Sequence, residues 1–210
     1  LPKNLKGKIH LLGNAINYKK FHSSSNKFLN EIKLINMGSF VPKKNQILAV
    51  KILNQLIKKG HKANLVFLGD GPTINNIKSY SNQLNLENFI QFKGNVDNVK
   101  TYLENSNLYL HTANYEPFGL VILEAMAAGL PTISLDGKGN RDFIEHKSNG
   151  FIFQNENPEI FANCIIDLIN NQRLYMNIKK NGYITAKKYD IKEYVSKLIA
   201  IYKESIYSIN

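Results

Sequence analysis

The chain has 210 residues, 43% of them hydrophobic, which is enough to bury one generous α/β core and too few for two full domains of that class. Its formal net charge of +11, from 27 Lys+Arg against 16 Asp+Glu, brings an anionic partner into consideration (nucleic acid, an anionic membrane surface or a phosphorylated small molecule), although most of the scattered lysines read as solvated surface. Arginine, the usual bidentate reader of phosphates and guanines, occurs only at Arg141 and Arg173, which argues against nucleic acid; no apolar run reaches the ~18 residues of a membrane span, and the single Cys164 excludes a disulfide framework or a cysteine-based zinc site.

In chain order, Gly7 to Leu12 reads as a first strand, and Asn14 to Asn30 as polar and irregular. Residues 1–31 are therefore expected to be an interdomain joining segment. From Ile32 the pattern alternates short apolar runs with amphipathic stretches. Strands are predicted at Ile32–Met37, Ala63–Leu68, Phe89–Phe92, Leu108–His111, Thr132–Leu135 and Gly150–Phe153. Helices are predicted at Asn45–Lys59, Thr73–Leu84, Val96–Glu104 and Leu120–Ala128, the last stopped by Gly129. Three further helices follow, at about 158–170, 172–188 and 190–207. Cys164 falls on the apolar face of the first of these and is expected to serve as a small hydrophobe. Such alternation demands a parallel sheet of about six strands, with right-handed crossovers and helices on both faces. Ligands of these sheets bind at the carboxyl ends of the strands. The expected division is a ligand-binding α/β domain over 32–190 and a C-terminal helix over 191–210.

The chemistry centres on Glu116 and Glu124, which flank Pro117-Phe-Gly-Leu-Val-Ile-Leu123. Glu116 falls in the loop after the fourth predicted strand, and Glu124 lies roughly 7.5 Å along the helix that follows, so the two carboxylates can face one cleft at different depths. Between them the amides near Phe118, Gly119 and Leu120 point outward at the positive end of that helix, and Gly119 has no side chain to block close approach. This is a suitable seat for a phosphate. The plain alternative is that Glu116 merely caps the helix and Glu124 bonds locally along it. Small residues in Glu124-Ala-Met-Ala-Ala-Gly-Leu-Pro-Thr132 weigh against it, because they let the helix approach the sheet closely.

These residues resemble glycosyltransferase family 4 of the GT-B fold, whose hallmark is two glutamates separated by seven residues, followed by Ala-Met-Ala-x-Gly-x-Pro. The resemblance extends to Gly13-Asn-Ala-Ile16, Gly38-Ser-Phe-Val-Pro-Lys-Lys-Asn45, Leu68-Gly-Asp-Gly-Pro72, Phe92-Lys-Gly-Asn-Val96, Asp136-Gly-Lys-Gly-Asn-Arg-Asp-Phe-Ile144 and Asn149-Gly-Phe-Ile152, in the family's order. It implies a Rossmann-like, doubly wound domain, the C-terminal half of a retaining, metal-independent enzyme. The substrate would be a nucleotide-diphosphate sugar, with no cofactor. Glu124 would accept from the ribose hydroxyls, and Glu116 would lie by the donor sugar. The amides at Phe118, Gly119 and Leu120 would hold the diphosphate, and the backbone at Asn95 and Val96 would meet the base. Lys44 would stabilise the leaving diphosphate, next to Gly38 and Ser39. Ser39 departs from the family, which usually carries arginine there; by position Lys43 or Arg141 could compensate. The acceptor domain is expected to lie outside these 210 residues, so the chain alone should bind donor and transfer sugar poorly. The single cysteine suits a reducing, cytoplasmic setting, and the charge suits peripheral contact with an anionic membrane at its inner face.

Gly69-Asp-Gly71 is followed by Pro72 and has Ile74 in place of the third glycine, so the nicotinamide-dinucleotide fingerprint fails. His111 has no second histidine at ligand spacing and reads as structural or sugar-contacting. Tyr115 fits a place in the donor pocket or in packing. Two rival classes share some of these features: a basic polyanion- or membrane-binding module without catalysis, and an epimerase or hydrolase on the same fold.

Overall fold

The computed structural model describes residues 10, 12–24 and 31–207. Most of the strand predicted at Gly7–Leu12 lies outside them. The described elements are α1 (Tyr18–Phe21), β1 (Ile32–Met37), α2 (Gln46–Lys58), β2 (Ala63–Leu68), α3 (Ile74–Gln83), β3 (Ile90–Phe92), α4 (Val99–Glu104), β4 (Leu108–His111), α5 (Leu120–Ala127), β5 (Thr132–Leu135), β6 (Phe151–Phe153), α6 (Pro158–Asn170), α7 (Gln172–Lys188) and α8 (Ile191–Tyr207). The six strands form one parallel sheet in the order β3-β2-β1-β4-β5-β6. None of the described helices is long and apolar enough to cross a membrane.

Period-two alternation along each strand feeds two cores, one on each face of the sheet. Leu34, Leu65, Phe67, Leu110 and Ile133 point to the face covered by α2, α3 and α6. Ile35, Met37, Leu68 and Tyr109 point to the other, where α4 and α5 pack. Buried on both faces, the central strands read as continuous apolar runs. α7 serves both cores, with Tyr175 and Ile178 in one and Ala186 in the other.

The structure departs from the predicted elements in two informative places. α4 starts at Val99 instead of Val96, because the Asn98 side chain accepts from the Thr101 amide and caps the helix there. Asn95 and Val96 are thereby left in the loop at the end of β3. The opening segment is also more than an irregular tether. Ile16 is buried, its N–H donates to the Tyr189 carbonyl (2.9 Å) and its carbonyl accepts from the Ile191 N–H (2.8 Å), so the chain is clipped into the junction between α7 and α8. Asn17 then caps α1, which buries Phe21.

Candidate functional site

Strand order places β2 on one side of β1 and β4 on the other, so consecutive crossovers diverge between β1 and β4. That divergence opens a crevice at the carboxyl ends of these two strands. The loops that line it are tied together by backbone hydrogen bonds. The Gly38 N–H donates to the Leu68 carbonyl (3.0 Å) and the Gly69 N–H to the Gly94 carbonyl (2.7 Å), joining the ends of β1, β2 and β3. Gly69 has φ +122°, and a Cβ there would collide with the Gly38 carbonyl, so only glycine lets these loops approach.

Lys44 ends a 3-10 turn, Pro42–Lys44, just before α2. The loop after β4 holds this turn in place: the Thr112 hydroxyl donates to the Lys44 carbonyl (3.0 Å) and the Asn114 N–H to the Lys43 carbonyl (2.9 Å). The same loop carries Glu116, whose N–H donates to the Gly137 carbonyl (2.7 Å) and whose carbonyl accepts from the Gly139 N–H (2.9 Å). Two loops, after β1 and after β4, thus deliver Lys44 Nζ to within 2.5 Å of Glu116 Oε2, with their side chains only 18% and 10% exposed. Glu116 therefore engages a lysine across the switch point and does not cap α5.

α5 begins at Leu120, with Gly119 at its N-cap in the left-handed region (φ +101°). A Cβ at Gly119 would stand 2.9 Å from Ile122 Cδ1 and 3.5 Å from Glu116 Cγ, so glycine keeps the helix start open beside Glu116. The amides of Leu120 and Val121 belong to the first turn and have no carbonyl partner within the helix. Phe118 turns its ring into packing, 5.9 Å from Phe143 and 5.8 Å from Tyr189, which leaves only its backbone for a ligand.

Glu124 lies further along α5 and faces a cavity of about 300 Å³ lined also by Gly38, Ser39, Asn95, Val96 and Val121. Burial pushes its carboxyl up to about 7, partly offset by Lys20. Five residues singled out in the sequence, Gly38, Ser39, Asn95, Val96 and Glu124, thus share one cavity, and Lys44 runs alongside Gly38, its Cε 3.7 Å from where a Cβ of that glycine would sit. Val121 and Val99 also line it and were not anticipated. For Val99 the missed signal was Asn98, whose cap starts α4 there.

Of the two cations considered as substitutes at Ser39, Arg141 is already engaged. Its Nε and Nη2 donate to Asp136 at 3.1 and 2.5 Å. Burial pushes the Asp136 carboxyl up, but hydrogen bonds from Arg141, the Lys138 amide and Gln154 outweigh it and hold the group below its ordinary value. Lys43, exposed in the 3-10 turn beside Lys44, has no ion pair among the described residues. Tyr115 is exposed on the β4 loop. His111, at the end of β4, is 2% exposed, and its ring faces Glu116. Burial pushes its pKa down to about 4; Glu116 opposes the shift and Lys44 adds to it, so the ring is neutral at neutral pH.

A larger cavity of about 400 Å³ lies beside the sheet edge, between β6 and α6, and is lined by Phe151, Phe153, Ile160 and Cys164. It contains none of the residues above. Cys164 is half-buried there, with burial pushing its thiol up to about 12. Among the described residues, no group of three or more His, Cys, Asp or Glu stands together as metal ligands do.

Residues 17–185 match the family model described as glycosyl transferases group 1. An uncharacterized glycosyltransferase of Haemophilus influenzae is 29% identical over 163 residues, 77% of this chain and 46% of that protein. The poly(ribitol-phosphate) alpha-N-acetylglucosaminyltransferase of Staphylococcus aureus is 30% identical over 159 residues, covering 75% of this chain and 32% of the relative. The chain thus spans a third to a half of the length of these curated relatives. Among solved structures, a mutant of S. aureus TarM in complex with Fondaparinux, alpha-GlcNAc-glycerol and UDP superposes with a TM-score of 0.81 at 26% identity, over 91% of this chain and 38% of that one.

Proposed function

The chain belongs to the group 1 glycosyl transferases, and from that premise we propose that it is the donor-binding, C-terminal half of a retaining, metal-independent enzyme of glycosyltransferase family 4. The reading rests on one observation above all. Glu124, the start of α5 and the Lys44–Glu116 pair converge on the crevice between β1 and β4.

The donor is a nucleoside diphosphate sugar. Glu124 accepts hydrogen bonds from the ribose hydroxyls, which an ionised carboxylate does well because it is an acceptor only. The base lies against the backbone of Asn95 and Val96. The diphosphate sits on the amides at the start of α5, Leu120 and Val121 foremost, where the helix dipole favours negative charge. Lys44 neutralises the charge that develops on the departing diphosphate, a task that demands a cation positioned beforehand. Glu116, at the sugar end, orients the donor sugar with its anomeric carbon toward the acceptor. Lys43 is the better placed substitute for the arginine missing at Ser39, since Arg141 is occupied by Asp136. The acceptor is a growing glycan or a lipid-linked saccharide, bound by sequence beyond these 210 residues.

Thermal melting with a panel of sugar nucleotides tests this, beginning with UDP because the TarM structure contains it. At a hundredfold excess over Kd a ligand that binds only the folded state adds about 2.7 kcal/mol, a rise in Tm of several degrees. Glu124→Gln should remove most of that rise. If no nucleoside diphosphate or its sugar moves the melt of the wild type, the proposal is wrong.

A further inference from the structure

Glu116 Oε2 has two neighbours. Lys44 Nζ stands 2.5 Å away, a tight charge-assisted contact. His111 Nε2 stands 3.4 Å from the same oxygen, too far for a good hydrogen bond, and it has no other partner among the described residues. A buried ring nitrogen without a partner is costly, and one kept beside a candidate site calls for an explanation in strain or in function.

The ring is prepared for that partner from behind. Tyr109 and His111 are two apart on β4 and so share a face of the sheet. The Tyr109 hydroxyl lies 3.3 Å from His111 Nδ1. Tyr109 is fully buried, and burial, with Glu116 and Glu124 nearby, keeps its hydroxyl protonated and able to donate, while the backbone of Met37 hydrogen-bonds its oxygen. A hydroxyl donating to Nδ1 puts the ring's single proton on Nε2, the nitrogen that faces Glu116.

We propose that Tyr109 and His111 form a positioning relay behind Glu116, one that keeps the carboxylate aimed at the donor sugar while Lys44 is shared between Glu116 and the diphosphate. The inference rests on the functional reading above, in which Lys44 serves the diphosphate and Glu116 the sugar. Without ligand, Lys44 holds Oε2 and His111 waits a few tenths of an ångström beyond bonding distance. With the diphosphate bound, Lys44 has a second anion to serve. The Glu116 carboxylate then relaxes toward Nε2–H, which keeps it aimed at the sugar hydroxyls. Because His111 is buried and acts through Glu116, it governs recognition of the sugar and leaves recognition of the nucleotide alone.

Calorimetric titration separates the two. The probes are UDP and UDP-N-acetylglucosamine, with GDP and GDP-mannose as a second pair, run on the wild type, His111→Leu, His111→Gln and Tyr109→Phe. His111→Leu should weaken the sugar nucleotide about tenfold while the bare diphosphate stays within about twofold. His111→Gln, which restores an N–H donor, should recover most of the loss, and Tyr109→Phe should weaken the sugar nucleotide about threefold. Retained binding of the bare diphosphate certifies that each variant is folded; should His111→Leu fail to fold, the Gln and Phe variants carry the same comparison. Equal losses for diphosphate and sugar nucleotide, or none for either, would overturn the relay while leaving the donor site intact. A wild type that binds none of the four ligands would overturn the functional reading, and the relay with it.

Discussion

On the proposed function, Glu124 couples donor binding to pH. In the ligand-free protein its carboxyl sits near 7 because burial penalises the charge, whereas the ribose hydroxyls need an ionised acceptor. Donor affinity should therefore rise about tenfold from pH 6 to pH 8, as the free enzyme sheds the proton that binding requires it to lose. Glu124→Gln should flatten this dependence, and affinity that follows the wild-type curve in that variant would remove Glu124 from the ribose. Stability runs the opposite way. Between the ordinary value of 4.5 and the folded value of about 7 the native state holds a proton that the unfolded chain has lost, so this group's stabilising contribution declines as pH rises through that window. Without ligand, Glu124→Gln should melt above the wild type at pH 8 and level with it at pH 4. Glu124 was singled out in the sequence by the phosphate-ready helix start before it and the ordered motifs around it, the eight-residue spacing alone carrying little weight. The shifted protonation was not legible there, since it depends on how much water α5 and the β1 loop exclude. His111 shows the same limit: its place two residues after Tyr109 on one strand is a local signal, but no spacing links it to Glu116, and only the return of the β4 loop brings those two together.

At the scale of elements the sequence was a good guide to strands and helices, because periodicity two and 3.6 are local signals. It was weaker at their ends. The Asn98 cap moved the start of α4 by three residues and so left Asn95 and Val96 in the loop that lines the cavity. Ile16 paired with the α7–α8 junction, a contact between distant parts of the chain that no window could register. The loops that carry the site depend on close backbone approach, which two glycines test. Gly60 has φ +82° with open space around it, so Gly60→Ala should cost only the left-handed strain, about 1 kcal/mol. At Gly69 the added carbon would meet the Gly38 carbonyl as well, and Gly69→Ala should cost about 3 kcal/mol or more and weaken donor binding. Urea midpoints of the two variants provide the check. Comparable losses would mean that the β1 and β2 loops yield easily and do not define the cavity.

For the whole molecule, the charge of +11 raised an anionic partner without pointing to a place on the surface. The sheet order supplies a candidate place, since the crevice forms where the crossovers diverge and the loops after β1 and β4 face each other across it. The chain spans a third to a half of its curated relatives, and the proposed division of labour has a direct consequence. The 210-residue chain should bind a donor nucleotide with ordinary affinity yet release no more free diphosphate in the presence of glycan acceptors than in buffer. Acceptor-dependent turnover by this chain alone, followed by diphosphate release, would show that the acceptor site lies within it. The sequence by itself determined the fold class and the parallel sheet, and singled out Glu116, Glu124 and Lys44 as candidates, because alternating hydrophobicity and ordered short motifs are properties of the chain read locally. Tertiary structure alone decided that Lys44 closes on Glu116, that Arg141 is taken by Asp136, and that a buried histidine stands behind the pair with its Nε2 lacking a hydrogen-bond partner among the described residues. Those facts arise from residues up to 72 positions apart, and their distances are set by packing two layers of helices against one twisted sheet.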